Sequence, residues 1–571
     1  MKKISSFTLP SLKTGTFVKN IFILFLFIIL IMSAIWISFL QFRSPEVLTL
    51  NSSTKQFSAE RAMSHLKEFA VKPHPLGSEE HDRVRDYLMK SLKNLGVSPE
   101  IQKSDSFITE WGIVYDGKIE NIIARIPGKD SSKAIMIASH YDSVPTSPGA
   151  ADDGSGVASI LETVRILSES PTLKNDVIIL ITDGEESGLL GAQAFVNQHP
   201  WAREVGLVFN FEARGSMGPS VLFETSEGNS RLISEFIKGA PNPVAHSFIY
   251  NLYKVLPHDT DLTIFKQSGM QGLNFGFFEG ESRYHTNHDN IENLSLSSLQ
   301  HHGDYMVHLV QHFGNLNLVE KKEGNKIYFN VLGRYIITYS ELFVIPIMFI
   351  TIGFYIFSFI HGHKRKKVTL TGTSLGFFLF LITLGLGYTL GRILWGIFSN
   401  MHPENTQTID SNVIFVGMIF ILFSINALVY QLVSKKINVF NLTMGALLAW
   451  LLLLVITSVL FIGSSYIFAW PLLFGLIGLN LMMKLEKVYS LKGYIITIGF
   501  TILVLLLTAP VIYLMYILLT LKSVGVLLAL ISLLGVFIIP ILSTLKLGSF
   551  FGLPVLLLSI GTFFLFWSNV L

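Results

Sequence analysis

SHYDSVPTSPGAADDGSG, residues 139–156, places an imidazole (His140), a carboxylate (Asp142) and an Asp152-Asp153 pair inside 18 positions rich in Gly, Pro, Ala and Ser. Upstream, AIMIA at 134–138 is a short apolar run that reads as a buried strand, and 157–167 has the apolar spacing of a helix. His140 and Asp142 are therefore expected at the carboxyl end of a strand and Asp152 just before a helix, where ligands bind in open α/β sheets.

Three more runs repeat the pattern. VIILIT at 177–182 ends in Asp183-Gly-Glu185-Glu186, 207–211 ends in Glu212, and 272–278 leads into a loop with Arg283-Tyr284-His285-Thr286. Strand-like runs that each end in an imidazole or a carboxylate are not the pattern of a merely solvated surface. Nitrogen and oxygen donors without thiolate suit zinc, manganese or cobalt, and two imidazoles with three carboxylates suffice for two ions sharing one bridging carboxylate.

In this order and spacing, HYDS, PGAADDGSG, DGEESGLLGA, NFEARG and YHTNHDN resemble the M28 family of dizinc aminopeptidases, in particular its membrane-bound branch. The resemblance covers about residues 55–315 and implies a mixed, mostly parallel sheet sandwiched by helices. It implies one zinc held by His140, Asp152 and Glu212, and a second held by Asp152, Glu186 and His285. Glu185 would be the general base and Asp142 would orient the His140 ring. The Asp152–Asp153 peptide would be cis. Glu212 departs from several soluble members, which carry Asp there. The implied activity is removal of N-terminal residues from peptides. A catalytically silent receptor or scaffold, and a single-zinc aminoacyl cyclase of the glutaminyl type, are the alternatives. Other acid or histidine positions carry blander expectations: His74 and His81 as solvated loop residues, His301 and His302 on a helix surface, His288 solvated, Asp289 as a cap, and Asp259 and Asp261 unassigned.

The 571-residue chain is half apolar, only 15% charged, and has a mean hydropathy of +0.51, which a wholly soluble protein does not show. Membrane spans account for both. A basic tail at 1–20 precedes a charge-free run at 21–40, read as an uncleaved anchor. Residues 45–326 have the composition of a soluble α/β domain, and 340–571 is read as a bundle of about eight spans, near 342–360, 373–397, 412–433, 440–462, 466–483, 494–517, 523–543 and 548–569. Basic segments at 361–367, 434–436 and 484–492 and Lys546 fall on one side and the acidic 401–410 loop on the other, with Lys522 as an exception. By the positive-inside rule the α/β domain faces away from the cytosol, outside a cell membrane or in the lumen of an endoplasmic reticulum or vacuole. Arg392, a charge within a span, reads as snorkelling to the interface.

With no cysteine, disulfides and thiolate metal sites are excluded. The net charge of +3 comes with no basic patch interleaved with aromatics, so nucleic acid is not an expected partner. Peptides and the bilayer are. The oligomeric state is open.

Overall fold

The structure is a computed structural model that describes residues 14–108, 114–130, 133–256, 258–318, 323–333, 335–401, 411–488, 490–542 and 552–567. Lys2, Lys3, Lys13, Lys546 and most of the acidic 401–410 loop lie outside the described residues. The chain divides into two compact units, one of residues 39–344 and 461–464, the other of 1–38, 345–460 and 465–571.

The first unit is built on seven strands: β1 (Glu100–Ile108), β2 (Val114–Ile126), β3 (Ala134–His140), β4 (Val177–Thr182), β5 (Val205–Ala213), β6 (Val221–Thr225) and β7 (Gln271–Phe277). Their order is β1-β2-β4-β3-β5-β7-β6. The centre of the sheet, β4-β3-β5-β7, is parallel, and β1, β2 and β6 run antiparallel at the edges. Every residue of β3 and β4 is buried, as expected of parallel strands covered on both faces.

The period-2 alternation divides these strands between two cores. Ile135 and Ile137 of β3, with Ile179 and Ile181 of β4, join the core formed with helices Ala59–Phe69, Glu79–Asn94, Gly154–Ser168 and Leu296–Phe313. Met136, Ala138, Ile178 and Leu180 point the other way, against helices Leu190–Gln198 and Asp261–Gln267. The helix starts are marked in the sequence: Ser58, Ser78 and Asp153 accept from Arg61, His81 and Gly156 N–H groups, satisfying donors that the first helical turn leaves free. A hairpin, β8 (Lys326–Val331) with β9 (Tyr335–Ser340), has no counterpart in the sequence reading. Its Tyr328 joins the first core.

His301 and His302, expected on a helix surface, are 1% and 0% exposed. Helix Leu296–Phe313 lays a broad face on the sheet, and the His302 ring stands edge-on to Phe211 and Phe277 at 4.8 and 5.4 Å. Its Nδ1 meets the Ser220 hydroxyl at 2.9 Å, and His301 Nδ1 accepts the Ser220 N–H. Burial pushes the two imidazoles down to about 4 for His301 and about 3 for His302. The folded state keeps them neutral while the unfolded chain takes up protons below about 6.5, so their contribution to stability is lost as pH falls from there towards 4. The stability gap between wild type and His302→Gln is expected to narrow by about 2 kcal/mol between pH 7 and pH 5, measured by urea unfolding. A pH-independent gap would contradict the neutral, buried ring.

Among the described residues, eight helices are long and apolar enough to cross a membrane, from Phe25–Phe42 and Glu341–Lys364 to Leu521–Ile538. They fit a multi-pass membrane protein. One span differs in detail from expectation: within 523–543 the described residues form two helices, Val524–Leu533 and Gly535–Leu542. The last expected span, 548–569, is described over residues 552–567, where it is helical, Gly552–Trp567. Arg392 is exposed on its helix.

Candidate metal centre

Because β3, β4, β5 and β7 are parallel, their carboxyl ends lie along one edge of the sheet, and the loops that leave that edge carry the donor groups. β3 ends on His140, β4 leads into the loop of Glu185 and Glu186, β5 carries Glu212 one residue before its end, and the segment after β7 brings back His285. Asp152 closes the set from the turn before helix Gly154–Ser168, and the Asp152–Asp153 peptide is cis.

Two groups of donor atoms result, His140, Asp152 and Glu212 in one and Asp152, Glu186 and His285 in the other, each within 4.8 Å of one another. Asp152 belongs to both. Its Oδ1 lies 3.3 Å from His140 Nε2 and its Oδ2 3.2 Å from His285 Nε2. Glu186 Oε1 is 3.0 Å from His285 Nε2 and Glu212 Oε2 is 3.8 Å from His140 Nε2.

The electrostatics suit a cation. Burial acts against ionisation of Asp152, but the rings on either side outweigh it and hold this carboxyl below its usual range. Burial, reinforced by the charge of Asp152, pushes Glu186 up to about 7 and Glu212 up to about 8. Glu185, enclosed and facing Glu212 and Glu186, is pushed well above the carboxylate range. Such crowding of buried acids is costly unless positive charge compensates. Glu186 Oε1 and His285 Nε2 are moreover buried without a hydrogen-bond partner, an orphaned pair of the kind a metal satisfies. All donors are nitrogen or oxygen, and the residues fit zinc.

Asp142, expected to orient the His140 ring, meets it mainly through its backbone. His140 Nδ1 lies 2.9 Å from the Asp142 backbone carbonyl and 3.5 Å from its carboxylate. The ring proton therefore goes to the carbonyl, fixing Nε2 as the free donor atom. The Asp142 carboxylate instead receives the N–H groups of Glu185 and Glu186, at 3.1 and 3.2 Å. One residue thus orients both the ring and the loop of the two glutamates.

Asp289, expected to cap the segment that follows it, is a buried member of the site. Its carboxylate accepts from Ala151 N at 2.7 Å and Asp152 N at 3.2 Å, fixing the turn that presents the shared carboxylate. Asp289→Ala is expected to leave both N–H groups buried and unpaired and to weaken zinc binding by about 10- to 100-fold, measured by competition with a chelator of known affinity.

His74 and His81, expected to be solvated, are each 2% exposed. His81 stacks on Tyr141 and meets Asp183 Oδ1 at 2.7 Å. The His74 N–H donates to Ser143 Oγ. Both stiffen the strand ends behind the centre. Asp261, left unassigned from sequence, is buried and accepts the Thr182 hydroxyl. His288 is exposed, as expected. His285 adopts a left-handed φ of 58°, rare for a residue with a side chain, and its carbonyl is held by the Thr146 hydroxyl at 2.8 Å. The Tyr284 ring stacks on it with centroids 3.7 Å apart.

Residues 121–310 match the family model of peptidase family M28. The chain carries an M28 peptidase domain. Among curated relatives of this chain, the vacuolar membrane protease of Candida albicans is 30% identical over 367 residues, 62% of this chain and 42% of the relative. Endoplasmic reticulum metallopeptidase 1 of Homo sapiens is 29% identical over 310 residues, 50% of this chain and 34% of the relative. The chain thus spans less than half the length of either relative. Among solved structures, a zinc aminopeptidase from Bacillus subtilis aligns with 94% of its own chain and 44% of this one, at 18% identity and a TM-score of 0.38. A glutaminyl cyclase from Porphyromonas gingivalis aligns with 96% of its chain and 44% of this one, at 20% identity and a TM-score of 0.37.

Proposed function

We propose that the protein is a membrane-anchored dizinc exopeptidase that removes N-terminal residues from peptides outside the cytosol. The observation that carries this reading is the pair of donor groups sharing Asp152, with Glu185 enclosed beside them. His140, Asp152 and Glu212 would hold one zinc; Asp152, Glu186 and His285 would hold the other. Bound there, zinc would lower the pKa of water towards neutrality and polarise a peptide carbonyl.

The chain's own groups supply the rest. Glu185 belongs to neither donor group, and burial among acids keeps its proton affinity above that of an ordinary carboxylate, which suits a general base acting near neutrality. Its carboxylate would take the proton of the attacking water and deliver it to the leaving amine. Asp142 would keep that carboxylate in place through the main-chain N–H of Glu185.

Removal of N-terminal residues, rather than internal cleavage, rests on the M28 resemblance. The complete donor set favours an enzyme over a silent scaffold, and two groups sharing Asp152 favour two ions over the single zinc of a cyclase. The basic segments 361–367 and 484–492 favour a cytosolic location for those ends and the opposite face for the peptidase unit. On this reading it works outside a cell membrane, or in the lumen of an endoplasmic reticulum or vacuole. Release of aminomethylcoumarin from aminoacyl substrates by the detergent-solubilised chain is expected to be abolished by chelator and restored by zinc. Chelator-insensitive release, or none against a full set of N-terminal residues, would overturn the reading.

A further inference from the structure

Arg214 lies two residues beyond Glu212, one past the end of β5 at Ala213. Asn210 and Glu212 share one face of β5, as the 3.0 Å bond from Asn210 Nδ2 to Glu212 Oε1 records. The Arg214 N–H donates to Phe277 O at 3.1 Å, so its backbone is still tied to the end of β7. The alternation of the strand, carried one position on, puts Arg214 on the side of Glu212.

The guanidinium there has nothing to hold. Among the described residues it makes no side-chain hydrogen bond and no ion pair, and its Nε is buried without a partner. Leaving a buried N–H of a cation unpaired is costly. The neighbouring Arg283 is by contrast engaged, with Ser216 Oγ at 2.9 Å and Asn293 O at 3.2 Å. Nor does Arg214 neutralise the acids of the centre, since Glu212 is met by Asn210 and His140 instead. The adjacent His258 imidazole is lowered first by burial and next by the charge of Arg214, with His285 also acting on it.

We propose that Arg214 is a specificity-determining residue that binds a substrate carboxylate about one residue beyond the scissile bond. The inference rests on the hydrolytic reading above. Two residues of extended strand cover about 6.6 Å, and each residue of extended peptide about 3.5 Å, so a peptide with its carbonyl at the donor groups comes level with Arg214 within its next two residues. A free C-terminal carboxylate of a dipeptide and an acidic side chain both supply the group, and Arg is suited to either through bidentate donation.

The test uses the full zinc-loaded chain in detergent and three peptides, Leu-Ala, Leu-Ala amide and Leu-Asp amide. Wild type is expected to favour Leu-Ala over its amide by about 10- to 100-fold in kcat/KM. An equal preference for Leu-Asp amide identifies side-chain recognition, and its absence restricts the site to the chain terminus. Arg214→Gln is expected to collapse the acid-to-amide ratio towards one, and Arg214→Lys to restore part of it, a pattern that general damage to the site would not produce. Turnover with the same ratio in wild type and Arg214→Gln would overturn the proposal. If wild type cleaves none of the peptides, calorimetric binding decides: carboxylate-dependent binding lost in Arg214→Gln supports the assignment while the hydrolytic reading fails, and equal binding of acid and amide overturns the assignment too.

Discussion

Glu185→Gln is expected to lower kcat by about 10²- to 10⁴-fold, the range a positioned general base contributes, while zinc content stays at its wild-type level. The substitution keeps the shape and size of the side chain. The main-chain N–H of Glu185, which donates to Asp142 at 3.1 Å, is unaffected, so the loop that also carries Glu186 keeps its place. Neither donor group includes Glu185, and metal should remain. What Gln cannot do is accept and return a proton. Turnover within tenfold of wild type would transfer the base role to another residue, and loss of zinc would make Glu185 a ligand. Parallel measurement of kcat on an aminoacyl coumarin and of zinc by mass spectrometry separates these outcomes.

Asp152→Ala is expected to have the largest effect on the metal itself. The carboxylate faces His140 with one oxygen and His285 with the other, at 3.3 and 3.2 Å, so its removal takes one donor from each group. Each group then keeps one imidazole and one glutamate, too few to hold zinc against dilution when structural and catalytic sites use three or four protein ligands. Zinc is expected to fall from about two per chain to below one, with hydrolysis reduced by more than about 10³-fold. Retention of one tightly held ion would mean that Asp152 serves a single group. An elution volume and unfolding midpoint near those of wild type keep the result from being attributed to misfolding.

The parts of this site that local sequence could carry were legible. His140, Glu212 and the Glu185-Glu186 pair each follow a buried run whose character needs no tertiary information, because parallel strands covered on both faces are continuously apolar. Asp152 was marked by its Gly-rich turn ahead of a helix. What escaped were residues whose role depends on partners far along the chain. His81 meets Asp183 across 102 positions, and Asp289 reaches Ala151 across 138. Nothing around Asp289 distinguishes it from a solvated loop position, whereas His81 shares the buried stripe of helix Glu79–Asn94 with Val84, Leu88 and Leu92, a spacing that reading it as a loop histidine passed over. His301 and His302 escaped for a related reason, since a helix that buries a broad face admits polar residues when Ser220 lies opposite them. Asp142 stood out by its place two residues after His140, but its division of labour between carbonyl and carboxylate is a matter of tenths of an ångström. In the membrane unit hydropathy located the helices, yet it could not register the break between Val524–Leu533 and Gly535–Leu542, where apolar composition continues through a change of backbone.

Zinc stoichiometry of the wild-type chain, purified without chelator, loaded with zinc and freed of excess by gel filtration, tests the central claim most directly. Two ions per chain are expected from two donor groups joined through Asp152. A value of one or fewer, with His140, Asp152, Glu186, Glu212 and His285 all intact, would contradict it.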